Sequence, residues 1–200
     1  QADFIWLACR TDADAPKHKG ISIIIVPTDA PGFEWMPLVT VGDHMTTSTY
    51  YSDVRVPVTN IVGELNAGWQ LITMQLNHER VGLAALSGLT ERLLDDVVAW
   101  CRETPSGTAD GAMMIDVAWV QSDLAKCTAT CKAIRLITWR LVHAVAENSL
   151  GPAEASSVKV FGTEQVVEVY RTLQGILGPI AHLRSDSPGA FLHGELERAN

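Results

Sequence analysis

The stretch LNHERVGLAA, residues 76–85, places a carboxylate where helical spacing gathers apolar side chains. Leu76 lies three residues before Glu79, Leu83 four after and Leu86 seven after, which is one face of a helix. A carboxylate on such a face must pair with a cation, take up a proton, or look into a cavity. Arg80 is adjacent, but i,i+1 neighbours point apart on a helix, and Arg92 and Arg102 lie too far along. Spacing alone leaves two readings. In one, Glu79 sits in an ion pair or at the wet edge of the stripe. In the other, it is a carboxylate of raised pKa, suited to proton abstraction in an apolar pocket.

No other residue set carries as clear a chemistry. His18, His44, His78, His143, His182 and His193 show no metal-ligand spacing. Cys9, Cys101, Cys127 and Cys131 form no CxxC pair; Cys127 and Cys131 are four apart on the apolar side of a helix and read as small core residues. Few cysteines without a disulfide framework suggest a reducing compartment. Phosphate-loop, GxGxxG and GxSxG patterns are missing from the sequence.

The elements that must hold Glu79 follow from periodicity. FIWLAC (4–9), GISIIIVP (20–27), FEWMPLV (33–39) and TSTYYSDVRVP (47–57) read as four strands of a compact antiparallel sheet, Pro37 marking an edge position. The period then changes. From a helix start near Asn66 to about Glu103 there is no proline. Ile72, Leu76, Glu79, Leu83, Leu86, Thr90, Leu93, Val97 and Trp100 step by fours and threes, which predicts one helix of about 35 residues, roughly 50 Å long. TPSGTADG (104–111) breaks it. A second helix is predicted from about Met113 to Asn148, and a third from after Gly151-Pro152 to about Leu177, before Gly178-Pro179. FLHGELERAN (191–200) begins a further element. Long helices with narrow 3,4 stripes predict a bundle with coiled-coil-like packing, often shared between subunits.

Composition is consistent with this. The 200 residues are 47% hydrophobic and 19% charged, enough apolar matter for a substantial core. The formal charge of −8 argues against a general affinity for nucleic acid or anionic membrane. No apolar run approaches the ~20 residues of a membrane span. The first residue is glutamine, so the chain reads as a piece of something longer.

Taken in order, several segments resemble the acyl-CoA dehydrogenases. LACRT (7–11), KGISIIIVP (19–27) and PGF (31–33) are similar to the middle β-domain of that family. TTSTYYSDVRVPVTNIVGELNAGW (46–69) resembles its junction into the helical domain, and LNHERVGLAA the first long helix there. LAKCTATCKAIRLITWR (124–140) and SSVKVFGTEQVVEVYRTLQGILG (156–178) resemble the next two. The resemblance implies an α+β fold, a small antiparallel β-domain followed by a long-helix up-down bundle. Part of the β-domain would occupy 1–65, and the bundle, incomplete at its end, 66–200. It also implies a reaction: FAD-dependent α,β-dehydrogenation of an acyl-CoA thioester to the trans-2-enoyl-CoA. A carboxylate takes the α-proton while the β-hydrogen passes as hydride to flavin N5. Glu79 matches the base of those members that carry it in an L-D/N-x-E-R stretch on the first bundle helix. Asn77 stands at the Asp/Asn of that motif, as a contact for the CoA arm, and Arg80 at its Arg, orienting the site. By the same resemblance Arg102, Gln174 and Gly178 fall to the cofactor. Electrons would pass to an electron-transferring flavoprotein, in the cytoplasm.

The match departs from the family at the FAD grip. Many members follow the first helix with Arg-x-x-Phe-Gly; here CRETPSGTADG (101–111) has no Phe-Gly, and Arg102 is out of register. Pro179 stands at the second glycine of a Gly-Gly pair. The departures resemble the base-carrying chain of two-gene heteromers, several of which act on steroid or other bulky acyl-CoA side chains. The expected assembly is therefore a homo- or hetero-tetramer, with weak FAD binding by this stretch alone. The rival readings are a catalytically silent subunit holding a sister chain, and a flavin oxidase or hydroxylase.

Overall fold

The computed structural model describes every residue except 1, 42–44, 80–82, 148 and 200, and leaves out the side chains at 77, 83–86 and 199. The described chain divides into two compact units, Gln1–Leu76 and Asn77–Asn200.

In the first unit, β1 (Phe4–Arg10), β2 (Ile21–Pro27) and β5 (Ile61–Val62) form one antiparallel sheet in the order β1-β2-β5. Strands β3 (Phe33–Val39) and β4 (Met45–Tyr51) form a separate two-stranded one. The single four-stranded sheet expected from the sequence is thus corrected to two. The physical reason is that β2, central in its sheet, fills both edges with β1 and with a two-residue strand whose brevity hides it in the sequence. Its apolar run buries Ser22, Ile23 and Val26. Pro37 lies on β3 opposite Thr47, in a ribbon where each strand has a single partner and a missing N–H therefore breaks no central ladder.

The turn between β1 and β2 is organised by one side chain. The Arg10 guanidinium donates to the carbonyls of Asp12 (3.1 Å), Ala15 (3.4 Å) and Lys17 (2.7 Å). Asp12 Oδ1 accepts from the amides of Asp14 (3.0 Å) and Ala15 (3.1 Å).

Helix α1 (Gly68–Glu79) follows β5, and α2 (Leu83–Glu103) opens the second unit's core. The predicted 35-residue helix is described as these two, with 80–82 outside the described residues. The next helix begins later than expected: a 3₁₀ turn at Met114–Asp116 precedes α3 (Ala118–Ala146). Helix α4 (Pro152–Leu177) has both its predicted ends, a proline in its first turn and Gly178 at φ +65° as its C-cap. A short α5 (Glu195–Ala199) closes the chain.

The core of this unit joins Leu93, Leu94, Val97 and Cys101 of α2 to Val120, Leu124, Cys127 and Cys131 of α3. Val169, Leu173 and Ile176 of α4 and Leu196 of α5 complete it. The 3,4 stripe of α2 and α3 is therefore the packed seam, as a bundle requires. Polar ties cross it: Thr90 and Tyr170 hydroxyls lie 3.1 Å apart, and Arg135 donates to Glu91 at 3.2 Å. Burial raises the pKa values of the Cys127 and Cys131 thiols to about 11.

Candidate functional site

Helix α1 begins where the chain is clamped to the sheet. Asn66 adopts a left-handed backbone at φ +67°, a conformation asparagine tolerates better than most side chains. Its N–H donates to Ser22 Oγ at 2.7 Å, and its Oδ1 accepts the Thr11 hydroxyl at 2.6 Å. Thr11 Oγ1 and Ser22 Oγ are 2.7 Å apart. One residue on, Ala67 bridges Ile21, and Gly68 lies so close to β2 that a Cβ would stand 2.8 Å from the Ser22 carbonyl carbon. None of Thr11, Ser22 or Asn66 was assigned a site role from the sequence. The available signal was Ser22, the one hydroxyl inside the apolar run ISIIIVP.

From this clamp α1 runs to Glu79, its last residue. Trp69, Ile72, Leu76 and Glu79 step by three, four and three, so they share one face of the helix. That face is open: Trp69 is 45% and Leu76 46% exposed, and Glu79 is exposed beside them. Among the described residues no cation or donor pairs with the Glu79 carboxylate. Glu91 provides the contrast. It sits on the bundle seam, with Oε2 taken up by Arg135 and Oε1 buried without a partner among the described residues. Glu91 has the ion-pair role that the sequence left open for Glu79.

The remaining expected site residues are spread along the chain. Asn77 lies in α1 two residues before Glu79, and its side chain is outside those described; Arg80 lies wholly outside the described residues. Arg102 is exposed in the last turn of α2, where a cation is favoured by the helix dipole, and its guanidinium has no partner among the described residues. Gln174 is turned inward at 7% exposure, its Nε2 donating to the Leu196 carbonyl at 3.4 Å. Gly178 caps α4, its N–H bonded to the Gln174 carbonyl, with open space where a side chain would stand. Among the described residues no group of three His, Cys, Asp or Glu could hold a metal ion, and no helix is long and apolar enough to cross a membrane.

Comparison with known proteins adds to this geometry. A family model described as acyl-CoA dehydrogenase, C-terminal domain, matches residues 66–193. The acyl-CoA dehydrogenase FadE26 of Mycobacterium tuberculosis is 48% identical over 98% of this chain and 50% of that protein. FadE29 of the same organism is 46% identical over 88% of this chain and 44% of that protein. Among solved structures, the Tcur3481-Tcur3483 steroid ACAD superposes with a TM-score of 0.89 at 55% identity, over 98% of this chain and 49% of that one. The ChsE4-ChsE5 complex from Mycobacterium tuberculosis does so with a TM-score of 0.87 at 49% identity, over 99% of this chain and 50% of that one. The chain spans about half the length of the curated relatives it matches.

Proposed function

Because the chain belongs to the acyl-CoA dehydrogenase family, we propose that it carries the catalytic base of an acyl-CoA α,β-dehydrogenation, and that the base is Glu79. The observation that supports this is the Glu79 carboxylate, unpaired among the described residues, on an open apolar face of α1, one turn beyond Leu76 and nearly three beyond Trp69. An ion-paired structural glutamate, like Glu91 with Arg135, has no need of such surroundings.

In this reading the Glu79 carboxylate accepts the α-proton of the thioester. Trp69 and Leu76 present apolar surface to an acyl chain and exclude water when covered. The cover would come from sequence of the kind the relatives carry beyond the matched half, or from a second chain. Asn77, two residues before the base, would meet the CoA arm, and Arg80 would orient the site.

Of the three residues assigned to the cofactor, Arg102 fits an anionic group best, with an exposed guanidinium, unpaired among the described residues, for a diphosphate. Gly178 has open space where a side chain would stand on α4's cap, whereas Gln174 already holds the Leu196 carbonyl. Bound FAD supplies the two-electron acceptor for the β-hydrogen. One charged donor is a thin grip, and the protein is read as sharing FAD with a partner subunit. The neighbours at 55% and 49% identity, a Tcur3481-Tcur3483 steroid ACAD and a ChsE4-ChsE5 complex, favour a heteromer and a bulky, steroid-like acyl group. An electron-transferring flavoprotein would reoxidise it.

The test is an anaerobic titration of the complete protein, with any sister chain, by a panel of acyl-CoAs including steroid side-chain thioesters, following the flavin's visible absorption. Bleaching in wild type and none in Glu79→Gln, with thioester binding retained, is the expected result. Bleaching in both places the base elsewhere and leaves Glu79 a structural residue of a silent subunit.

A further inference from the structure

The β3–β4 ribbon has two outer edges, and its hydrogen bonds show that one is blocked and the other open. The Ser52 N–H donates to the Gly32 carbonyl at 2.9 Å, one step beyond the pair Phe33–Tyr51, so Gly32 and Ser52 are a hydrogen-bonded pair. Such pairs alternate along an antiparallel ribbon. Glu34–Tyr50, Met36–Ser48 and Leu38–Thr46 are therefore bonded across it. Phe33–Tyr51, Trp35–Thr49, Pro37–Thr47 and Val39–Met45 turn their main-chain groups outward. On the β3 edge the Phe33 N–H is already given to the Ala30 carbonyl, and Pro37 has no N–H and sets its ring where a neighbouring strand would lie. On the β4 edge Met45, Thr47, Thr49 and Tyr51 each hold out an N–H and a carbonyl, with no main-chain partner among the described residues. The strand reads MTTSTYY, without the charge or proline that keeps a free edge from pairing. Both faces of the ribbon are open as well. Trp35, Val39 and Met45 are exposed on one, and Met36, Leu38 and Tyr50 on the other.

We infer that the β4 edge takes a further β-strand, apolar on both of its faces, from this protein's own polypeptide outside residues 1–200. A two-stranded ribbon is marginal alone in water, and apolar side chains on both of its faces suit it to the interior of a larger layered sheet. The added strand bonds to the outward groups of Met45, Thr47, Thr49 and Tyr51 and continues those two faces. The second unit has no strand to give: its described elements are all helical, and the Pro105–Met113 bridge closes a loop. A second copy joined β4 to β4 about a two-fold axis would fill the edge but double the apolar surface left in water. The solved relatives keep this fold over 98% and 99% of the chain, which is 49% and 50% of their own length. A polypeptide of that length has room for the strand and for the layers that cover the ribbon.

The test uses the complete protein. Amide hydrogen exchange, resolved to single residues by fragmentation, should find the Thr47 and Thr49 N–H groups at least about a hundredfold slower than in a free peptide of the same sequence. Exchange at the free-peptide rate overturns the inference. Thr47→Pro, opposite Pro37 and in the same outward phase, removes an outward N–H and leaves the bonds between β3 and β4 in place. On a filled edge it lowers the urea midpoint by about 1 M or more. An unchanged midpoint, the tolerance that Pro37 already shows on β3, means an open edge and overturns the inference. Wild-type exchange decides the matter if Thr47→Pro does not fold. The source of the strand is read by placing a photoreactive benzophenone amino acid at Thr49, irradiating and digesting. A cross-link at single-chain mass to a peptide outside residues 1–200 is the expected product. A two-chain product gives the strand to a second copy or a sister chain and overturns its assignment to the same polypeptide.

Discussion

Replacing Gly68 by alanine sets two effects against each other, and the structure decides the sign. Alanine is the better helix former by about 1 kcal/mol, so in an open first turn the change would stabilise the protein. Here the added Cβ would lie 2.8 Å from the Ser22 carbonyl carbon and 2.9 Å from both the Ile21 oxygen and the Ile23 nitrogen. All three are backbone atoms, and carbon contacts relax only near ~3.5 Å, so β2 and α1 must part by roughly 0.6 Å. Backbone shifts forced by an added methyl cost about 1–3 kcal/mol. The same parting stretches the 2.7 Å bond from the Asn66 N–H to Ser22. The net expectation is a loss of about 1–2 kcal/mol, a fall of roughly 0.5–1 M in the urea midpoint at an m-value near ~2 kcal/mol/M. A Gly68→Ala protein with a midpoint at or above wild type would refute the close-packed seam between α1 and β2.

Other expectations concern the bundle. Gly194→Ala puts a Cβ 2.6 Å from the Ser185 nitrogen at φ +71°, and should destabilise by about 2 kcal/mol or more in denaturant titration. Leu173→Ala, at a fully buried position of α4, should cost about 2–5 kcal/mol by the same measurement. The Arg92 guanidinium holds the Glu195 carboxyl below its ordinary value. Its folded pKa is therefore depressed, and the pair's contribution is present above the unfolded value near ~4.3 and fades as pH falls through the folded one. The stability gap between wild type and Arg92→Gln should be constant from about pH 7 to 5 and shrink as pH falls below the unfolded value. With thiols raised to about 11, Cys127 and Cys131 should resist a thiol reagent at pH 8 in the native protein and react once it is unfolded.

Local signals were legible in the sequence, and long-range ones were not. Both ends of α4 could be read because Gly151-Pro152 and Gly178-Pro179 act on their own backbone. The α2 and α3 seams could be read because a 3,4 stripe is a property of one helix. Strand pairing is not such a property. An apolar run such as Ile21–Pro27 says it is buried but not beside what, and Ile61–Val62 is too short to read as a strand at all. At the candidate site, the carboxylate and its apolar face on α1 were visible as spacing. The clamp that anchors that helix joins residues 11 and 55 positions apart in sequence. Only the folded chain brings Thr11, Ser22 and Asn66 together.

The Arg10 guanidinium holds the β1–β2 turn by three main-chain carbonyls, those of Asp12, Ala15 and Lys17. Every amino acid supplies a carbonyl, so the shape of this turn is written in Arg10, in Asp12 and in Gly20, where a Cβ would stand 2.3 Å from the Asp12 oxygen, and hardly at all in the other residues between. Positions 13, 14 and 17–19 are thus free to drift, or to receive an epitope or a fluorophore, without disturbing the strands on either side. A single arginine in this way separates what the turn looks like from what it is made of, and gives the protein a surface on which sequence can change while the frame behind α1 stays still.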